Sequence, residues 1–581
     1  MRPRTRTTGT DAMGTDEAAE PQPQADTRAA RAAATAATRA RWRGRLVRAA
    51  SGLAVLGAVA AVVTLGQWPV QGTAAAQGVP LPPQEVAVPP SATTLVCAGP
   101  LILPDDTGRG DAEFDPTPVD PISTLTAVTS VPPGTSGDGV AAGTVTTLDG
   151  TQTLETLTAG GDGVSVSSVG GPLAVHAQPG TEPARVGAVS SGLVKAGDLR
   201  GLAAASCAQP VADAWLVGGA TDLSSTAQLV LDNAGSTPAE VTLDLWGPTG
   251  RVDLSGERYL VAPGGERVVV LGGIAAEQRR VALHVSATGG RVGVHVQDSV
   301  LDGFTPAGTD LVVPGAAPSR RQVVPGVSVV ASTVNDPHAP ALRLLAPGDA
   351  ATTAHVTLLG PGGPEQLPGA ESVELAPGEV TDVPLGGLAA GAYTVVVSAS
   401  EPVVAAAVVS RPGSAGELDD TPSTERAWAA SVTPGQGGVA VLPSGTHGML
   451  VVAAVPDGDD DGTDGSGEGT LRLLGAGGEL LAERPLSVPA GTTGSWTLDG
   501  LLAGSGPVVP GGTDDAAEPP AEGVRAVDLV TASGATVRLS WALVAEVDRK
   551  DGVLVSVLDP VPVRAGAPSV AVRPDPRLGT R

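Results

Sequence analysis

Apolar and polar residues alternate with a period of two through much of this chain, in short runs that end at Gly or Pro. That period, interrupted every few residues by turn formers, predicts β-strands rather than helices. Residues 281–297 illustrate it. A two-residue turn at Gly289 and Gly290 would pair Leu283 with Val296, Val285 with Val294 and Ala287 with Val292. One face of that hairpin is then wholly apolar, while His284, Ser286, His295 and Gln297 share the other, as a half-buried antiparallel pair requires. One segment breaks the pattern. Ala49–Gly66 carries no charge, and as a helix rising about 1.5 Å per residue it spans about 27 Å, enough to cross a hydrocarbon core.

The strands recur in phase. Three segments carry the same landmarks in the same order: a strand running into a Gly turn (Val241–Gly250, Val356–Gly363, Leu471–Gly478), a turn closing on Gly264, Gly378 and Gly491, and a third turn at Leu271–Ile274, Leu385–Leu388 and Leu498–Leu501. Gly264 and Gly378 are 114 residues apart, and Gly378 and Gly491 are 113 apart. About seven strands in a unit of about 110 residues is the size of an immunoglobulin-like or fibronectin-like sandwich. Ala214–Leu216 and Ala427–Ala429, each containing a Trp, read as corresponding opening strands. The expected fold is therefore mainly β: a row of tandem immunoglobulin/fibronectin-like β-sandwich repeats after one N-terminal transmembrane helix. A β-propeller with two blades per repeat is the alternative. The boundaries follow: 1–45 a disordered basic cytoplasmic tail, 46–68 the transmembrane helix, 69–91 a Pro/Ala-rich stalk, and 92–210 a β domain. Repeats 1 to 3 take 211–318, 319–425 and 426–560, the last with acidic loop insertions, and 561–581 is a C-terminal tail. The domain at 92–210 does not align with the repeats by its turns.

Arg41, Arg43, Arg45 and Arg48 flank the apolar segment on one side, Trp68 follows it, and no basic residue occurs again until Arg109. The positive-inside rule then leaves the N-terminus in the cytoplasm and exports everything after Trp68, whose indole suits the headgroup layer. Ala74–Ala76 offers the cleavage site of a signal peptide, but it lies well beyond the apolar run, and more than forty residues precede that run. An uncleaved single-pass anchor, with the bulk of the chain extracytoplasmic, is the expectation.

Charge and cysteines narrow the partners. With 35 Lys and Arg against 61 Asp and Glu, the formal net charge of −26 argues against a nucleic-acid partner. Cys97 and Cys207 are the sole cysteines, and in an exported chain an even count suggests one cystine. Closing a loop of that length is worth about 4–5 kcal/mol in the chain-entropy model.

Candidate chemistry is sparse. The expected hairpin sets His284 opposite His295, but two ligands are too few for a stable zinc site, and a solvent-facing pair is the plainer reading. From Asp457, the run through Asp459, Asp461 and Gly462 to Glu468 matches the EF-hand loop pattern, so Asp457, Asp459, Asp461 and Glu468 are candidate ligands for weak Ca²⁺. Strands rather than helices flank it, and Asp464 stands where an apolar residue belongs, which makes it a solvated insertion first. No nucleophile elbow, zinc-protease motif or other catalytic signature is present, and the chain reads as non-catalytic, without a cofactor. Trp496 and Trp541 fall in phase with apolar neighbours and read as core. Trp246 alternates with Thr242 and Asp244 on the polar face and is the candidate surface contact.

The stretch Gly201–Gly219, containing Cys207 and Trp215, together with Leu229–Gly235, resembles an actinobacterial family of membrane-anchored exported proteins of unknown function. Members are similar in having a basic tail, one spanning helix, two cysteines and a β-rich exterior, and they are often encoded near a cell-envelope glycosyltransferase. Asn233-Ala234-Gly235 departs from the usual Asn-Pro-Gly turn. The resemblance implies a place in the envelope and a partner that is an envelope protein or polymer-synthesis enzyme. The expected function is a non-catalytic scaffold or accessory protein, with a cell-wall glycan-binding or adhesion module as the alternative.

Overall fold

The computed structural model describes residues 84–86, 88–102, 121–132, 142–180, 182–336, 338–367, 370–415, 422–458, 465–508, 523–532, 534–563 and 570–572. The expected membrane helix at 46–68, with Arg41, Arg43, Arg45, Arg48 and Trp68, lies outside them. Among the described residues no helix is long and apolar enough to cross a membrane. Gln84–Val86 and Val570–Val572 pair antiparallel in a small separate unit, so the segments expected as stalk and tail each contain a strand.

The remaining described chain, within residues 87–569, forms tandem two-sheet β-sandwiches. Repeat 1 shows the plan. Apart from the two-residue strand Gly250–Arg251, which pairs with the third, its eight strands are Asp213–Val217, Ser225–Asp232, Ala239–Gly247, Arg258–Val261, Glu266–Val270, Ala282–Thr288, Gly293–Asp302 and Thr305–Val312. In chain order, the first, sixth, third and fourth make one sheet, and the fifth, second, seventh and eighth make the other. Repeats 2 and 3 follow the same order, and so does the domain at 92–210, whose turns carry none of the sequence landmarks. It is a fourth copy by topology. In repeat 2 the sixth and seventh strands fuse into one 25-residue strand, Gly391–Ala415, that pairs in both sheets. A propeller blade is built from successive strands of one sheet. Here successive strands cross between sheets and enclose a core common to both, which makes each unit a sandwich.

That crossing overturns the expected hairpin at Gly289 and Gly290. The sixth strand of repeat 1 pairs with the first and third, the seventh with the second and eighth, so His284 and His295 sit in opposite sheets. Both apolar faces do point at one core, but across it rather than side by side. Alternation fixes the face a residue takes, not the strand next to it. The boundary at residue 426 also moves. Pro422–Ala430 pairs with the second half of the long strand as the eighth strand of repeat 2, and repeat 3 opens with Gly438–Val441. Trp428 therefore lies on a last strand and Trp215 on a first, and the two do not correspond. Val561–Pro562, expected in the tail, adds to the first strand of repeat 3.

The units do not stand in a row. Their eighth strands, Gly201–Ser206, Thr305–Val312, Pro422–Ala430 and Gly552–Leu558, each lie against the neighbours on both sides, last against first, and close a ring. Apolar side chains join the cores at every junction. Leu311 packs with Val194 and Leu199, Trp428 with the core of repeat 1, Val555 with that of repeat 2, and Leu202 with that of repeat 3. Area burial of this kind, at about 25 cal/mol per Å², is the main force holding the ring.

Buried polar groups fix the register of the central strands. Asp310 accepts the backbone N–H of Trp428 at 2.7 Å, and Ser556 Oγ lies 3.1 Å from Asp310 Oδ1 and 3.0 Å from the Ala204 carbonyl. Glu425 accepts the N–H of Leu202 at 3.0 Å. Burial raises the Asp310 carboxyl to about 8 and the Glu425 carboxyl well above the usual range. A protonated Asp310 can donate to Ser556, leaving the Ser556 proton for Ala204, while Glu425 lies 3.7 Å from the Arg200 guanidinium. The closing junction, between repeat 3 and the N-terminal sandwich, uses charge. Asp528 is fully buried and accepts from Arg185, from Arg472 at 3.0 Å and from Ser130 at 2.6 Å. The expected disulfide, Cys97–Cys207, joins the end of the first strand of the N-terminal sandwich to the residue that follows its eighth.

Candidate functional site

The first–sixth–third strand order brings together residues that are far apart in sequence. On the outward face of that sheet in repeat 1, Trp215, His284 and Asp244 form one rung across three strands. Trp246 follows two residues after Asp244, opposite the small, fully buried Ala282. The rings stack: Trp215 and His284 have centroids 4.5 Å apart, and Trp215 and Trp246 are 5.2 Å apart. Each such contact adds about 0.5–1.5 kcal/mol beyond area burial. His284 Nε2 lies 2.8 Å from Asp213, its Nδ1 lies 3.5 Å from Asp244, and Arg251 bonds to Asp244. A hydrogen bond at Nε2 and a carboxylate near Nδ1 thus flank the imidazole on both sides.

This stack floors a cleft of about 710 Å³ between repeats 1 and 2, closed on the far side by turns at Pro347–Asp349, Gly378 and Glu401. Trp246, expected on the open surface, is only 8% exposed and forms one wall of the cleft. Trp215 stacks on two other rings, and the cluster presents apolar ring surface to the cleft. Carboxylates at Asp213, Asp244, Asp349 and Glu401, with the Arg251 guanidinium, surround it. Apolar ring surface rimmed by paired acceptors and one planar donor suits a neutral polyhydroxylated ligand, which has C–H faces to pack and hydroxyls to bond. Sequence reasoning placed Trp246 and His284 each on the polar face of its own strand but treated Trp215 only as a strand marker. Knowing that strands 1, 6 and 3 are neighbours would have assembled the three.

The other candidate residues fall elsewhere. His295 is buried beside Val230 in the opposite sheet, and burial lowers its imidazole to about 4, so it is a neutral core residue and no partner for His284. In the acidic insertion, Asp459 and Asp461 lie outside the described residues. Asp457 accepts from Arg538 at 2.7 Å. Glu468 is on the third strand of repeat 3, where the Ser466 and Ser487 hydroxyls hold its carboxyl below the ordinary range. Among the described residues no group of three or more His, Cys, Asp or Glu could hold a metal ion. Trp496 and Trp541 are buried in the core of repeat 3.

A model described as a family of unknown function, DUF5719, matches residues 158–499, more than half of the chain. No curated protein matches it. Among solved structures, the chain is similar to one titled "Biofilm associated protein - BSP domain" at 8% identity and a TM-score of 0.12, over 82% of this chain and 96% of that one.

Proposed function

The chain belongs to the DUF5719 family, and we propose that it is a non-catalytic, membrane-anchored scaffold of the cell envelope whose ring of sandwiches holds wall glycan in the cleft between repeats 1 and 2. The observation that carries this reading is the His284–Trp215–Trp246 stack, placed in a carboxylate-rimmed cleft of about 710 Å³. Aromatics are only 2% of the chain, and two of its seven Trp residues stand in this one place. The buried disulfide supports an oxidising compartment. The arginine-flanked apolar run at 49–66 supports anchoring from the cytoplasmic side, with the acidic bulk of the chain exported.

A second reading, a scaffold for an envelope protein or polymer-synthesis enzyme, is favoured by the rigidity of the ring, whose closing junction is held by a fully buried carboxylate and two guanidinium groups. Cosedimentation with purified wall polysaccharide separates the two. Binding by the native chain, lost on Trp215→Ala, supports the glycan reading. No cosedimentation, with one membrane enzyme captured from crosslinked membranes, supports the second. Calorimetry of the full chain with Ca²⁺ tests the acidic insertion, and no heat up to a few millimolar removes it.

A further inference from the structure

Where the four chain crossings leave the central strands, the ring holds a second, partly open cavity of about 820 Å³, adjoined by a side lobe of about 270 Å³ that shares Pro314, Gln436, Asp559 and Pro560 with it. The crossings here are rich in residues that cannot fill space, with Pro314, Gly435, Gly437, Pro560 and Pro562 on its wall. Val294, Val313 and Val557 make much of the remaining surface apolar. The residue directly after the eighth strand is Cys207 in the N-terminal sandwich, Val313 in repeat 1, Ser431 in repeat 2 and Asp559 in repeat 3. Three of the four are neutral and accounted for. Cys207 is in the disulfide, Val313 packs against the Leu311 cluster, and Ser431 accepts from Ala316 N–H at 3.1 Å.

Asp559 is the exception. It lies where the cavity and its side lobe meet, and its Oδ1 is shielded from solvent with no hydrogen-bond partner. Ser206 Oγ, on the same wall, is likewise buried and unpartnered. A buried carboxylate oxygen without a partner is unfavourable until something supplies a donor. The other charged residues of the wall are Glu182, a second acid, and Arg185, whose guanidinium is spent on Asp528. The net character is an apolar chamber with an unanswered negative end.

We propose that the axial cavity is a binding site for a small apolar amine, its ammonium group donating to Asp559 and Ser206 and its hydrocarbon body lying against Val294, Val313 and Val557. The chamber is of ordinary size for a small-molecule pocket. Burial raises the Asp559 carboxyl to about 7, so the empty chamber holds it largely neutral in mild acid, and an ammonium ligand drives it to ionise with release of a proton. The ionised fraction of the empty site rises from about a tenth at pH 6 to about nine-tenths at pH 8, so amine affinity rises about tenfold over that interval.

The test is calorimetry on the full chain in detergent with benzylamine as probe, alongside benzyl alcohol and benzoate. Saturable benzylamine binding that strengthens about tenfold from pH 6 to pH 8, falls at least tenfold in Asp559→Asn, and is blocked in Val313→Trp supports the site. Equal binding of benzyl alcohol, unchanged binding in Asp559→Asn, or no saturable heat from benzylamine overturns it. The Val313→Trp variant carries the test if Asp559→Asn melts early. Trp215→Ala leaves amine binding unchanged, so the axial site and the glycan cleft stand or fall separately.

Discussion

Where the N-terminal sandwich meets repeat 1, a methyl group at Gly264 would lie 2.7 Å from Asp149, whereas where repeat 1 meets repeat 2, one at the corresponding Gly378 would lie 3.5 Å from Trp246. The other two junctions resemble the first. Repeat 2 meets repeat 3 with the Thr493 hydroxyl donating to the Leu359 carbonyl at 2.6 Å, and a methyl at Gly478 would fall 2.5 Å from the backbone of Asp162. Three junctions are sealed by close backbone approach. At the junction between repeats 1 and 2, the third strand instead carries Trp246 next to its end, and the ring stack lines a cleft in the gap. One topology copied four times has thus been opened at one place, where two Trp rings and an imidazole stack.

The comparison can be broken at its sealed side first. Replacing Asp528 with Ala strips the buried Arg185 guanidinium of its carboxylate and leaves Arg472 with Glu483 alone, and should cost about 3–5 kcal/mol in denaturant unfolding, with the first and last sandwiches separating earliest in hydrogen exchange. Removing both Cys97 and Cys207 comes next, at about 4 kcal/mol or somewhat less, concentrated in the N-terminal sandwich.

Proton linkage supplies a third effect. The Asp310 carboxyl is raised from about 3.9 to about 8 in the folded chain, so its contribution is complete below about pH 4 and is lost as pH rises toward 8. Thermal stability should therefore fall between about pH 4 and pH 8, and Asp310→Asn should flatten that fall. A melting series giving parallel pH profiles for native and variant would refute the neutral-acid account of Asp310. The smallest effect sharpens the comparison directly. Gly264→Ala and Gly378→Ala both force a left-handed residue, at about 1 kcal/mol each. Only Gly264→Ala also collides with backbone, so it should lower the melting temperature by several degrees more.

The fold was largely legible because its signals are local. Phased glycines at 264, 378 and 491 marked the repeats, and alternation named the buried faces of Leu283, Val285 and Val294 correctly. Pairing was not legible, because a sixth and seventh strand that face each other across a core have the same alternation as a hairpin. That ambiguity misplaced His295, gave Trp428 to the wrong repeat and hid the meeting of Trp215 with His284 and Trp246. Ring closure was hidden for a related reason. The small residues of Gly201–Ala205 carried only a family resemblance in the sequence, and in the fold they let a central strand approach Ser556 and Glu425 closely. Asp559 carried no signal beyond being one acid among 61.

The central claim is that the one open junction is a glycan site. Its most direct test is titration of the native chain and of Trp215→Ala with soluble fragments of purified wall polysaccharide, followed by calorimetry. The account predicts saturable heat from the native chain, weakened at least about tenfold in the variant. Equal binding by both, or no heat from either, would contradict it.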